Sequence, residues 1–207
     1  MSNIRMGDHI RCASFPCSDI DHQGYLIPKI SLNPEKIRLI VISESPPSDP
    51  KDDYYADGDA SYVQNTCHAF SQAGIQADSI DDLINQGIYF TTAIKCAKTV
   101  YNITSVTVTE CSLILEKELR LFANAKAFLL MGDVAIKALN TIARHQNGKR
   151  AIPAESTYKI RHGEFYLGNI RLFPSYLQVG LSYGIERSKQ RMIAEDISRA
   201  MTVIAGP

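Results

Sequence analysis

Short hydrophobic runs alternate with segments of helical periodicity along most of the chain. The runs at residues 37–42, 88–94, 127–131 and 170–173 are strand-sized and rich in apolar side chains, which is typical of buried parallel strands. Periodic segments at 61–73, 78–86, 108–122, 133–144 and 186–204 predict helices, and Pro174 is expected to end the fourth strand. This alternation predicts a three-layer α/β/α fold around a central, mainly parallel sheet of four strands.

Each predicted strand ends in a segment of unusual composition. These segments are residues 44–47, 91–96, 132–133 and 174–178. Ligands of parallel α/β sheets bind outside the carboxyl ends of the strands. The four segments therefore predict a single site at one edge of the sheet.

Length and composition restrict the class of protein. A chain of 207 residues with 45% hydrophobic and 21% charged residues suits one globular domain over 1–207. Residues 1–35 look irregular. No run is apolar enough to span a bilayer, and the first residues lack the apolar core of a signal peptide. We therefore expect a cytoplasmic monomer without membrane contact.

Charge is unevenly distributed although the formal net charge is zero. Residues 44–82 contain nine acidic residues and one basic residue, whereas residues 144–199 contain ten Lys or Arg and five Asp or Glu. One basic face suits a phosphate backbone. Two ordinary solvated faces explain the same counts.

The four segments, in this order, resemble the motifs of the uracil-DNA glycosylase superfamily, nearest its bacterial and archaeal iron–sulfur branches. The family motifs are a strand followed by Gly-Glu-Ala-Pro-Gly, then Tyr-Ile-Thr-Asn-x-x-Lys-Cys, a Leu-Gly pair that opens a helix, and His-Pro-Ser. The matching segments here are 43–47 (SESPP), 89–96 (YFTTAIKC), 130–135 (LMGDVA) and 173–177 (FPSYL). The resemblance covers about residues 12–198, and it implies the fold and DNA base excision. Another doubly wound fold is the alternative.

Three departures from the family pattern affect the expected chemistry. Ser43 and Pro47 replace the glycines of the first motif, Thr92 replaces the asparagine that reads the uracil edge, and Phe173 replaces the histidine of the last motif. Threonine offers one hydroxyl where asparagine offers a donor and an acceptor, and phenylalanine offers no donor.

The resemblance implies a role for each matching residue. Glu44 would act on charge that develops at the sugar, with Ser175 as a second catalytic group. Ser45, Thr92, Phe173 and Tyr55, which we prefer to Tyr54, would contact the base. Tyr176 and Leu177 would insert into the DNA. The phosphates would be contacted by Lys159, Arg161, Arg187 and Lys189.

Two functions remain open at this point. The first is a DNA glycosylase that hydrolyses the N-glycosidic bond of uracil or of another damaged or modified base. The second is a catalytically inactive DNA- or nucleotide-binding protein that keeps the scaffold. An unrelated small-molecule enzyme on a similar sheet is a third alternative.

Five cysteines in a chain that looks cytosolic argue against a disulfide framework. The resemblance implies that Cys12, Cys17, Cys96 and Cys111 hold a [4Fe–4S] cluster through four thiolates, which would tie residues 1–35 to the rest of the chain. Zinc, or no metal, are the alternatives. Cys67 lies in a predicted helix and is expected to be a core thiol.

If the cluster is present, anaerobically purified protein should be brown and contain about four iron atoms per chain. The Cys67→Ala variant should keep the same iron content, whereas Cys96→Ala should lose it. Iron and zinc analysis measures both. Colourless wild-type protein, with equimolar zinc or without metal, would contradict the cluster.

Overall fold

A central sheet and two helical layers form the fold. The computed structural model describes residues 3–99, 102–184 and 186–206. Its strands are β1 (Ile4–Arg5), β2 (Ile20–Asp21), β3 (Ser31–Leu32), β4 (Leu39–Ser43), β5 (Ile88–Thr92), β6 (Ala97–Lys98), β7 (Ala127–Met131), β8 (Phe165–Leu167) and β9 (Ile170–Ser175). Its helices are α1 (Ser61–Gln72), α2 (Ile80–Asn85), α3 (Ser105–Leu119), α4 (Asp133–Asn147), α5 (Thr157–Ile160) and α6 (Arg187–Ala205).

The central sheet has the order β5-β4-β7-β9-β8. The first four of these strands are parallel, as predicted, and β8 adds an antiparallel edge strand in a region expected to be irregular. Pro174 does not end β9, contrary to the sequence prediction. Because β8 pairs only with residues 170–172, one side of β9 lacks a strand partner at Pro174, so a missing N–H is tolerated there.

Side chains alternate across the sheet and create two cores. Leu39 and Val41 of β4 pack toward α1, α2 and α6, whereas Ile40 and Ile42 pack toward α3 and α4. All five residues of β4 are buried. Helices thus cover both faces, which explains why the parallel strands read as continuous apolar runs.

The N-terminal segment is attached through two short antiparallel pairings. β1 pairs with β3, and β2 pairs with β6 so that Ile20 lies opposite Lys98 and Asp21 opposite Ala97. The second pairing joins the segment to the loop that follows β5. In the part of the chain that the structure describes, no helix is long and apolar enough to cross a membrane.

A buried ion pair connects this same loop to α3. The Lys95 ammonium donates to Glu118 Oε2 at 2.6 Å and to Thr91 Oγ1 and the Thr92 carbonyl oxygen at 2.7 Å. Glu118 Oε1 accepts from Tyr89 Oη at 2.7 Å and Thr91 Oγ1 at 2.8 Å. The Lys95 and Glu118 side chains are only 1% and 0% exposed. Both charges are therefore compensated inside the protein rather than by water.

Removing one partner of this pair should strongly destabilise the fold. We expect Glu118→Gln to lower the free energy of unfolding by about 3–5 kcal/mol, because the buried Lys95 charge loses its counterion. Glu110→Gln, at an exposed position of the same helix, should change it by less than about 0.5 kcal/mol. Urea denaturation of both variants at matched metal content measures the difference, and equal stabilities would contradict this account.

Candidate active site

A cavity of about 510 Å³ opens at the carboxyl edge of the sheet. Glu44 follows β4, Gly132 follows β7, and Tyr176 and Leu177 follow β9, and all four line the cavity together with Lys98 of β6. Three of the four segments singled out in the sequence therefore meet here. The fourth, after β5, contributes to a neighbouring pocket described below.

Glu44 is held from two sides at the cavity wall. The Lys98 ammonium donates to Glu44 Oε2, and the Glu44 side chain is 15% exposed. On the other side, a Cβ placed on Gly132 would lie 2.8 Å from Glu44 Oε1, and Gly132 has a φ of +97°. Only glycine meets both requirements at position 132.

Thr92 and Tyr55, which the resemblance assigns to base contact, line a second pocket. Tyr55 Oη donates to the Phe90 carbonyl oxygen at 2.7 Å, and Thr92 Oγ1 donates to the Ile94 carbonyl oxygen at 2.7 Å. Residues 26–28 cover the pocket and leave about 10 Å³ free. This volume corresponds to about one water molecule.

The remaining residues assigned to base contact and catalysis lie deeper in the fold. Ser45 is buried, and its carbonyl oxygen accepts from Tyr62 Oη at 3.2 Å. Phe173 is 3% exposed and packs in the core between the guanidinium groups of Arg171 and Arg199, which lie 5.3 and 5.6 Å from the ring centre. Phe173 is not among the residues that line the cavity.

Ser175 belongs to a buried polar network. Its hydroxyl donates to Asp196 Oδ2 at 2.7 Å, and its exposed fraction is 0%. Arg161 also bonds Asp196 and reaches Glu195 at 2.8 Å. Burial raises the pKa of Asp196, and these partners oppose the shift. The network holds the end of β9 against α6.

A second network connects the first and last motifs. Ser43 Oγ and Tyr54 Oη share a hydrogen bond, and Gln178 Nε2 donates to Tyr54 Oη at 2.9 Å. Burial raises the pKa of Tyr54 above its ordinary value, which keeps the phenol protonated. Ser43, at the position of the family glycine, thus has a structural hydrogen bond that a glycine could not make.

The residues expected to contact DNA do not form one surface. Tyr176, Leu177 and Lys189 line the 510 Å³ cavity. Arg187 lines a different, open depression together with His162, Arg191 and Arg199, and Lys159 is exposed on α5. Arg161 is 3% exposed, and its donors are engaged by carboxylates and by the Met192 carbonyl oxygen. It is therefore positioned as a structural residue rather than as a phosphate contact.

Four of the five cysteines lie within electrostatic range of one another. Burial, followed by the charges of its three neighbours Cys111, Cys12 and Cys17, raises the pKa of Cys96 to about 12. Burial also raises the pKa of Cys111, to about 11, although its sulfur accepts the Lys95 N–H. All five thiols are free, and Cys67 is half-buried on α1. Among the described residues, no three His, Cys, Asp or Glu side chains are arranged to hold a single metal ion.

Comparison with known proteins defines the family. A family model described as the uracil DNA glycosylase superfamily matches residues 30–198. The chain belongs to the uracil-DNA glycosylase superfamily. A search of curated proteins finds no significant match. Membership supports a glycosylase-like function on DNA, and the α/β architecture agrees with the family fold. The match does not include Cys12 and Cys17.

Three residues near the site were missed by sequence reasoning. In the sequence, Lys98 is simply a lysine two positions after Cys96. Tyr183 is simply a tyrosine in the loop after β9. Asp53 lines the small pocket, where burial raises the pKa of its carboxyl group. None of them belongs to a motif segment quoted above, so no sequence signal separates them from solvated residues.

The position of Ser175 leads to a prediction about stability. We expect Ser175→Ala to lower the free energy of unfolding by about 1–3 kcal/mol, since buried Asp196 loses a donor. Ser156→Ala, at an exposed position before α5, serves as the control. Thermal denaturation of both variants measures the effect. Unchanged stability combined with loss of catalysis would instead show that Ser175 acts on substrate.

Proposed function

We propose that this protein is a DNA glycosylase that hydrolyses the N-glycosidic bond of uracil or of another damaged or modified base. The observation that carries the proposal is the position of Glu44, which lines a cavity of about 510 Å³ beside Lys98 and Gly132 at the carboxyl edge of the sheet. Membership of the superfamily supports DNA as the substrate. That the released base is uracil or another damaged or modified base is part of the proposal.

Glu44 has the chemistry that base excision requires. As the glycosidic bond breaks, positive charge develops on the sugar and negative charge on the departing base. A carboxylate next to the sugar stabilises the first charge or orients the attacking water. Lys98 donates to one oxygen of Glu44 and so fixes the orientation of the carboxylate in advance.

Tyr176 and Leu177 support the DNA side of the proposal. Both are partly buried, follow β9 and line the cavity. Lys189, which also pairs with Glu186 at 2.7 Å, lies 5.6 Å from the centre of the Tyr176 ring. Tyr176 and Leu177 are suited to insert between two stacked base pairs. Lys189 is suited to bind the neighbouring phosphate.

DNA binding without excision is the second candidate function, and the small pocket favours it. About 10 Å³ is free between residues 26–28, Tyr55 and Thr92, so base entry requires displacement of the 26–28 segment. In addition, Phe173 replaces the histidine donor of the family motif and is buried away from the cavity. Both features weaken the base side of the site while leaving the sugar side open.

We also propose that Cys12, Cys17, Cys96 and Cys111 hold the [4Fe–4S] cluster. The donor set fits, because all four thiols are free and the charges of Cys111, Cys12 and Cys17 act on Cys96. Burial raises the pKa values of Cys17, Cys96 and Cys111, so a cation among them would favour their thiolate forms. When bound, the cluster supplies a covalent link between the N-terminal segment and the loop after β5.

Catalysis by Glu44 makes a specific prediction. We expect Glu44→Gln to reduce base release by at least about a hundredfold while DNA affinity changes little, because the carboxylate acts chiefly on the transition state. The substrates are single- and double-stranded oligonucleotides that contain uracil, hypoxanthine, xanthine or a 5-substituted pyrimidine. Release of the base is read as strand cleavage after alkali.

Asp133→Asn is the matched control, since Asp133 is a second carboxylate at the same cavity but is 68% exposed and paired with Lys137. It should keep activity. If the wild type binds these oligonucleotides and releases no base from any of them, binding without excision becomes the correct function. Equal losses in both variants would show that Glu44 has no special role.

A further inference from the structure

The Tyr183 hydroxyl is a buried polar group without a partner. Tyr183 lies in the 3-10 turn Leu181–Gly184 between β9 and α6 and is 4% exposed. Its Oη is buried and has no hydrogen-bond partner among the described residues. Tyr183 nevertheless lines the 510 Å³ cavity that contains Glu44.

Such a hydroxyl requires an explanation. Buried polar groups in native proteins are nearly always hydrogen-bonded, and one left unpaired costs stability. The other buried tyrosines with a role in this region are paired: Tyr54 bonds Ser43 and Gln178, and Tyr62 bonds the Ser45 carbonyl oxygen. Tyr183 therefore differs from its neighbours in having a donor that the fold itself does not use.

Tyr183 is held rigidly enough to present this donor. Gln190 Nε2 of α6 donates to the Tyr183 carbonyl oxygen at 2.8 Å, and the ring packs edge-on against His68 at 6.1 Å. Burial raises the pKa of the phenol to about 12. The hydroxyl therefore keeps its proton at neutral pH and can donate.

The cavity around Tyr183 offers one readily exchanged cation to an anion. The lysines that line it pair with carboxylates: Lys98 with Glu44, Lys137 with Asp133 and Lys189 with Glu186. The Lys189–Glu186 pair is solvent-exposed and contributes little stability, so Lys189 can exchange Glu186 for a phosphate at little cost. The first turn of α6 contributes Lys189, and no side chain caps this helix N-terminus. An uncapped helix N-terminus attracts negative charge.

We propose that Tyr183 recognises the DNA backbone in this cavity, with its hydroxyl donating to a phosphate oxygen of the bound strand next to Lys189. Tyr183 acts as a positioning residue that fixes the strand relative to Glu44, and it takes no part in bond breaking. The proposal goes beyond base excision, because a phosphate contact is made whether or not a base is released.

The Tyr183→Phe variant removes only the hydroxyl. In the free protein we expect its melting temperature to equal or exceed that of the wild type, because no internal bond is lost and a buried unpaired group is removed. Tyr62→Phe, which loses the bond to Ser45, should melt at a lower temperature. A clear loss of stability in Tyr183→Phe would show that the hydroxyl has a partner within the fold and would overturn the proposal.

DNA affinity provides the second measurement. The probe is an undamaged oligonucleotide, so the result does not depend on excision. We expect Tyr183→Phe to weaken binding about tenfold, since a hydrogen bond to a charged oxygen is lost. The exposed Tyr166→Phe, on edge strand β8, should bind like the wild type. Unchanged affinity of Tyr183→Phe would refute the proposal.

Inorganic phosphate distinguishes a general anion site from recognition of DNA. If phosphate at constant ionic strength raises the melting temperature of the wild type but not of Tyr183→Phe, the cavity binds the phosphate group itself. If only DNA binding depends on Tyr183, the contact needs the strand, which equally supports backbone recognition. If the wild type releases no base from any of the modified oligonucleotides while Tyr183→Phe still weakens DNA binding, only the glycosylase proposal fails.

Discussion

The register of the parallel strands is the constraint on which the rest of the site depends. Ser43 of β4 pairs with Thr92 of β5, and Met131 of β7 pairs with Ser175 of β9, so all four strands end at one level. Just beyond this level, the Gly132 N–H donates to the Ser175 carbonyl oxygen at 3.0 Å. Segments far apart in sequence therefore become neighbours because the sheet hydrogen bonds fix where each strand stops.

Buried side-chain networks then hold the loops that leave the sheet. Lys95 and Glu118 fix the loop after β5, the Ser43–Tyr54–Gln178 network joins the loops after β4 and β9, and Asp196 anchors Ser175 to α6. Each network removes polar groups from water and pairs them inside the protein. Such paired buried groups are costly to disturb, which keeps the loops around Glu44 in place.

The two pockets at the carboxyl edge of the sheet differ in the space that they leave. Glu44, Gly132 and the residues after β9 line the larger, open cavity. In the small pocket, the Thr92 hydroxyl bonds the Ile94 carbonyl oxygen, Tyr55 bonds the Phe90 backbone, and little space remains. Thr92, which stands where the family has asparagine, thus lies in a nearly filled pocket, whereas the cavity beside Glu44 keeps about 510 Å³.

The sequence by itself determined the order of strands and helices, the four segments at the strand ends, and the family. These features depend on local periodicity and composition, which can be read from the sequence without knowing the fold. Strand β8 was missed because three residues are too few to show a periodic pattern. Tertiary structure decided the partners of individual side chains. Lys98 bonds Glu44, which lies 54 positions away in the sequence, and Arg161 bonds the buried Asp196, which lies 35 positions away. Phe173 packs into the core that also contains residues of α1, α2 and α6. A charged or aromatic residue has the same local pattern whether it faces a ligand, solvent or the interior, because its partner is chosen by packing between distant segments.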